Sequence, residues 1–182
     1  MQRDEHIQIW IDSDSCPKNV RKVVLRSLTK NNLSAVFVAD RHLVDVETEI
    51  AEHTGLLRKA FIENGGSLEK SKEVKSKIEM VVVETEDDGA DNYMVENSES
   101  PALAITRDLT LSYRLVSKGV TVIDDRGRLS SQENIKHKLS AKLVNDSFRE
   151  WNLFFEQNKS LGAKQLREFS GSYDRLIHDM FL

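Results

Sequence analysis

Apolar residues along this chain fall into two alternating rhythms. Short β-branched and aromatic runs at about 7–12, 34–39, 78–84, 102–106 and 120–123 predict five strands. Longer stretches with apolar residues at helical spacing predict helices between and after them. The first follows Pro17, a residue suited to the first position of a helix, and carries Val20, Val23, Val24 and Leu28 as its stripe. Further helices are expected over about 45–63, 88–97, 109–118, 131–156 and 163–181. The last has Leu166, Phe169, Tyr173, Ile177, Met180 and Phe181 on one face, the mark of a helix packed on a core. Ser130-Ser131-Gln132-Glu133 offers a capping box for the helix before it. Strands alternating with helices favour βαβ units. The expectation is a single three-layer α/β/α domain over residues 1–182, with a five-stranded, mainly parallel sheet in the order 3-2-1-4-5. Extra C-terminal helices occupy about 131–181.

Charge changes the picture little. The chain has 26 Lys+Arg against 30 Asp+Glu, a net charge of −4, which excludes a histone-like positive coat and leaves room for a local basic patch. No apolar run approaches the length of a membrane span, so no membrane partner is expected. The opening Met-Gln-Arg-Asp-Glu-His leads directly into a strand and does not read as a signal peptide, which makes a cytoplasmic location the expectation. A single cysteine forms no internal disulfide, and the five histidines lack metal-ligand spacing, which argues against zinc. Gly65-Gly66-Ser67 and the ten residues after it, four of them lysine, read as a solvated, mobile loop.

The carboxylates carry more information. Asp12 closes the first strand, Asp14 lies in the turn after it, and Asp108 closes the fourth strand. Ligands of open parallel sheets bind beyond the carboxyl ends of strands, where the strand order reverses, and in the order 3-2-1-4-5 that is between strands one and four. Asp12 and Asp108 then face each other across a crevice. Glu86-Asp87-Asp88-Gly89-Ala90-Asp91 opens a helix nearby, with Asp88 and Asp91 three positions apart. Acids gathered at one sheet end repel one another, and a hard divalent cation offsets that repulsion. Mg²⁺ takes oxygen ligands and keeps waters for a substrate phosphate, so the implied chemistry is metal-assisted hydrolysis. The plainer alternative is that these acids are helix caps and first-turn residues. Neutralising Asp12 is expected to relieve repulsion and to leave the fold intact or firmer.

These residues also carry a resemblance. Asp12-Ser-Asp14-Ser-Cys16-Pro17 resembles the Asp-x-Asp-Ala-Cys-Pro opening of the bacterial YaiI/YqxD family, whose fold is similar to PIN-like nuclease domains. Asp88-Gly89-Ala90-Asp91 is similar to its Asp-x-Ala-Asp, and Ile105-Thr106-Arg107-Asp108 to its Ile-Thr-x-Asp. Gly119 and Arg126-Gly127 fall in step, so the resemblance runs from the first strand through the long helix. It implies catalytic metal ligands at Asp12, Asp91 and Asp108, with Asp14 and Asp88 as further candidates, Thr106 in support, and Mg²⁺ or Mn²⁺ as the ion. The implied function is phosphodiester hydrolysis of RNA or DNA. Ser13 and Ser15 stand where the family has Ala, a change read as neutral, and Asp124-Asp125 replaces an Asn-Pro pair. Residues at about 43–75 read as an insertion, a helix plus the lysine-rich loop.

Other signals bear on partners. Lys18, Lys22, Arg26 and Lys30 form a basic ridge down the first helix, either a backbone-phosphate contact or an ordinary solvated face. Lys18, Lys22, Arg26 and Arg126 are the nucleic-acid-binding candidates. Cys16, at a helix start, reads as a packed residue rather than a nucleophile. Trp10 and Tyr93 flank carboxylates and read as core, with base stacking as the alternative. Trp151, Phe154 and Phe155 read as a seam under the C-terminal helices or as a contact in a homo-oligomer. Two rival functions stay open. One is a PIN-like module that binds nucleic acid or protein without cutting. The other is a haloacid-dehalogenase-like phosphatase, with Asp12 as nucleophile, Asp14 as acid/base, and Thr106, Lys118 and Asp124-Asp125 in later roles.

Overall fold

The computed structural model describes residues 6–83, 88–149 and 162–182, and for 142–149 the backbone alone. Glu84, Glu86, Asp87, Trp151, Phe154 and Phe155 lie outside the described residues. The five expected strands form as β1 (Ile9–Asp12), β2 (Ala35–Ala39), β3 (Ile78–Val82), β4 (Leu103–Ile105) and β5 (Thr121–Ile123). Their order is β3-β2-β1-β4-β5, and every pairing is parallel.

Side chains alternate strictly between the two faces of the sheet. Ile9, Ile11, Ala35, Phe37, Leu103 and Ile105 enter one apolar cluster, and Trp10, Val36, Val38, Ala104 and Val122 the other. Both faces are covered, which explains why the central strands read as continuous apolar runs rather than alternating ones. Helix α1 (Lys18–Asn31), α2 (Val44–Glu63) and α7 (Ala163–Phe181) contribute to the first cluster. Helices α4 (Gly89–Asn97) and α5 (Leu109–Ser117) cover the second, and α6 (Gln132–Arg149) packs beside α5. The face predicted for the last helix is the one that packs: Phe169, Tyr173 and Ile177 are buried, with Leu166, Met180 and Phe181 against them.

Three local expectations shift. Pro17 is the N-cap of α1 rather than its first helical residue, and its carbonyl accepts from Arg21 N. The capping box moves one residue along: Ser131 Oγ accepts from Asn134 N (3.2 Å) while Asn134 Oδ1 accepts from Ser131 N (2.9 Å), so Glu133 takes no part. The lysine-rich stretch is not a bare loop. Ser67 caps a short helix, α3 (Leu68–Ser71), and Arg58 on α2 donates to Val74 O and Lys72 O. The stretch from 43 to 75 thus forms most of the crossover from β2 to β3, with Leu43 and Val46 in the core.

Candidate functional site

The chain passes from β1 through β2 to β3 on one side, then crosses to β4 on the other. The reversal therefore falls between β1 and β4, as the sequence implied. Ile11 pairs with Ile105, so the next residues, Asp12 and Thr106, meet at the carboxyl ends. Asp12 is buried, 5% exposed. Its Oδ2 accepts from Thr106 Oγ1 and from Ser15 Oγ, each at 2.6 Å. Ser15 Oγ accepts from Arg107 N (3.2 Å) and Thr106 Oγ1 from Asp108 N (3.0 Å). Ser15 is thus no neutral replacement, since it supplies half of the hydroxyl cradle around Asp12.

Asp108 is the N-cap of α5, its Oδ1 accepting from Leu111 N at 2.7 Å. The cap reading and the site reading hold together here, because capping engages one carboxylate oxygen on the helix. Asp88 stands in the left-handed region (φ 61°) at the start of α4, a conformation Asp tolerates, and its side chain makes no cap bond. Asp91 lies in the first turn of α4. Burial and the nearby carboxylates of Asp108, Asp12 and Asp88 push its carboxyl up to about 6. Three of the other four predicted acids therefore act on Asp91 across the crevice. Asp14 does not join them. Its Oδ2 accepts from Asp40 N beyond β2 (2.8 Å), and Arg41 lies 3.4 Å from Oδ1. A turn residue two positions past a strand end is free to swing to either neighbouring strand, and a backbone donor holds this one on the β2 side.

Among the described residues, no group of three or more His, Cys, Asp or Glu side chains is close enough to hold a metal ion by itself. The donor chemistry still suits a hard cation. Mg²⁺ is commonly held by one or two carboxylates, with water and substrate phosphate completing the shell. The phosphatase arrangement does not form: Asp14 is bonded away from Asp12, and Lys118 Nζ donates to Ser98 O (2.9 Å) and Val95 O at the end of α4.

The repulsion expected among these acids is felt at Asp91. A raised carboxyl means that the folded state holds the proton more tightly than the unfolded chain, so this group's contribution to stability declines as pH rises from about 4 to about 6. Asp91→Asn is expected to stabilise the metal-free protein at pH 7–8 by about 1 kcal/mol, after allowance for solvent screening of a half-buried group. The gain should vanish below about pH 4, the ordinary carboxylate range. Urea midpoints of both proteins across that range check it; an unchanged midpoint at pH 7.5 contradicts it.

Several neighbours escaped the sequence reading. Arg21, on the buried face of α1, donates to Cys16 O (2.7 Å) and Ser13 O (3.3 Å) and pairs with Asp45 at 3.1 Å. It fastens the β1–α1 turn that carries Ser15 to the start of α2. Its signal was available: an arginine three before Val24 and four before Leu25 lies on the apolar stripe. Asp124 accepts from Arg126 N, Arg128 N and Arg128 Nε, each at 2.9 Å, closing the turn after β5. Asp125 is buried beside Arg107 at 3.5 Å; burial raises its carboxyl and the guanidinium opposes the rise. Cys16 is packed in the core, its thiol pushed up to about 12 by burial, which removes it as a nucleophile at neutral pH. Trp10 is buried and meets Tyr93 with ring centroids 6.4 Å apart, so core packing accounts for both.

A model of the uncharacterised bacterial YaiI/YqxD family matches residues 48–179. The chain belongs to that family. Curated relatives carry only the name UPF0178 protein. The one from Treponema denticola is 32% identical over 94% of this chain and 92% of its own length. Those from Trichlorobacter lovleyi and Syntrophobacter fumaroxidans are each 30% identical, covering 94% and 96% of this chain and 94% and 97% of their own lengths. No solved structure matches the chain. In this YaiI/YqxD member, no helix among the described residues is long and apolar enough to cross a membrane. Of the nucleic-acid candidates, Lys18, Lys22 and Arg26 are exposed along α1, while Arg126 lies apart from them in the turn after β5.

Proposed function

We propose that this protein is a metal-dependent nuclease, with Asp12, Asp91 and Asp108 holding Mg²⁺ or Mn²⁺ at the carboxyl ends of β1 and β4. The observation that carries this reading is the Asp91 carboxyl, pushed up to about 6 among three other acids. A carboxyl raised by burial and by neighbouring acids at a strand-order reversal is a recurring sign of a functional site. The bound ion would activate water and stabilise the departing oxygen of a phosphodiester. The chain's own residues have separate tasks. Thr106 and Ser15 fix the direction of Asp12, the α5 N-terminus fixes Asp108, and Asp88 adds negative charge beside Asp91. The resemblance to PIN-like domains supports the same chemistry.

A second reading, a PIN-like module that binds without cutting, is favoured by one observation. Asp12 and Asp108 each commit an oxygen to internal hydrogen bonds, and no ready three-ligand set exists among the described residues. Labelled single-stranded RNA and DNA, incubated with no metal, Mg²⁺, Mn²⁺ or Ca²⁺, separate the readings. A nuclease gives product with Mg²⁺ and more with Mn²⁺, which binds such sites more tightly. Ca²⁺ should support little turnover, because its looser coordination positions water poorly. Salt-dependent binding with no product in any metal would establish the module instead. Phosphate release from small monoesters would point to the phosphatase.

A further inference from the structure

The turn after β5 meets α5 and α6 around a cavity of about 340 Å³. Its wall includes Thr106, Arg107, Ser112, Arg126, Arg128 and Lys138. Four cations converge there in a protein whose net charge is −4. Asp125 lies 3.5 Å from Arg107 and Asp124 2.9 Å from Arg128, so the two acids in the wall offset two of the four. Among the described residues, no carboxylate pairs with the side chains of Arg126 or Lys138. Among the described residues, the wall therefore keeps an excess of two positive charges.

Two features connect this cavity to its surroundings. Thr106 lines it and also donates to the Asp12 carboxylate, so the acidic crevice and the basic cavity share a wall. On the far side, Arg126 and Arg128 also line a second hollow of about 260 Å³, together with Lys164, Gln165 and Glu168 in the first turns of α7, where Glu168 lies 4.0 Å from Lys164 and offsets its charge. Among the described residues, neither hollow has an aromatic side chain in its wall. Cations and hydroxyls are the groups that contact the sugar–phosphate backbone.

We infer that a nucleic-acid strand, RNA or DNA, is held by its backbone along this basic groove. It would run from the acid crevice past Thr106 and Lys138 to Arg126, Arg128 and the start of α7. This rests on the nuclease reading for what happens at the crevice, but not for binding. It also moves the phosphate track off α1. Lys18, Lys22 and Arg26 form an exposed row along α1, whereas Arg126 lines two hollows.

The test is binding in EDTA, where cleavage cannot contribute. Short fluorescein-labelled oligouridylate and oligothymidylate are titrated with the protein by anisotropy over a series of KCl concentrations. Arg126→Ala/Lys138→Ala should weaken binding roughly tenfold or more at low salt. The slope of log K against log salt should become shallower by about 1.4, since each single-strand phosphate left without its cation takes away about 0.7. Both positions lie at the surface, and an unchanged melting temperature confirms the fold. Should the double variant fold poorly, the single changes Arg126→Gln and Lys138→Gln give the same reading with a smaller slope change.

An unaltered affinity in these variants overturns the inference. So does a larger loss in Lys18→Ala/Lys22→Ala/Arg26→Ala, or the absence of any low-salt binding by the unmodified protein. Failure of the nuclease reading looks different: weakened binding in the groove variants, with no product in Mg²⁺ or Mn²⁺ from the unmodified protein.

Discussion

Asp108→Asn is expected to reduce Mg²⁺- or Mn²⁺-dependent cleavage by at least roughly a hundredfold, with little change in melting temperature. The separation follows from where Asp108 sits. Its Oδ1 accepts from Leu111 N as the N-cap of α5, and Asn is as good a cap as Asp. The substitution therefore keeps the helix start and removes the charge. Asp108→Ala loses both, and should be about 1 kcal/mol less stable as well as inactive. Strand binding should persist in Asp108→Asn or improve, because one repulsion of phosphate has gone. Cleavage that survives in Asp108→Asn and in Asp12→Asn alike would belong to a contaminating nuclease, and the metal site would lose its support.

The largest expected effect on stability is at Arg21. Its guanidinium is bonded to two backbone carbonyls and to Asp45 with little exposure on either side of the pair. Arg21→Met roughly keeps the volume but strands a largely buried carboxylate and two carbonyls. Removing one partner of such a pair costs about 3 kcal/mol, against near neutrality when both are replaced together. Thermal unfolding should move down by roughly 6–12 °C for a chain of this size. Arg21→Met/Asp45→Leu should recover much of that loss. A single variant within a degree of the unmodified protein would show that the clamp holds nothing.

The elements most legible in the sequence are those whose pattern is local and periodic. The five strands and the face of α7 need only the spacing of apolar residues, and the parallel order follows from strands alternating with helices. Asp12 and Asp108 are legible because a strand end fixes where its last residue stands. Asp14 is not, because it lies past the strand, where a bond from a distant segment decides its direction. The backbone N–H of Asp40 supplies that bond. The sequence sets the start of α6 one residue early because two serines stand side by side, and only the structure shows which of them meets Asn134. The basic groove is beyond reach, since its cations come from the end of β4, the turn after β5 and α6, and no run in the sequence brings them together. Only Arg126 among them stands out from the sequence.

The hydroxyls around Asp12 have a consequence of direction. A hydroxyl has one proton, and at Ser15 and Thr106 both protons are drawn to the same carboxylate oxygen. Each hydroxyl's lone pairs then face inward from the chain, where the amides of Arg107 and Asp108 point at them. Two parallel relays result, amide to hydroxyl to carboxylate, all polarised the same way, and bonds in such a chain reinforce one another. The relays suit an acceptor oxygen at their end, whereas an amide nitrogen turned toward those hydroxyls would oppose both donors. The end of β4 therefore acts as a polarity gauge, presenting two donors to whatever oxygen stands at position 12 before any ligand arrives.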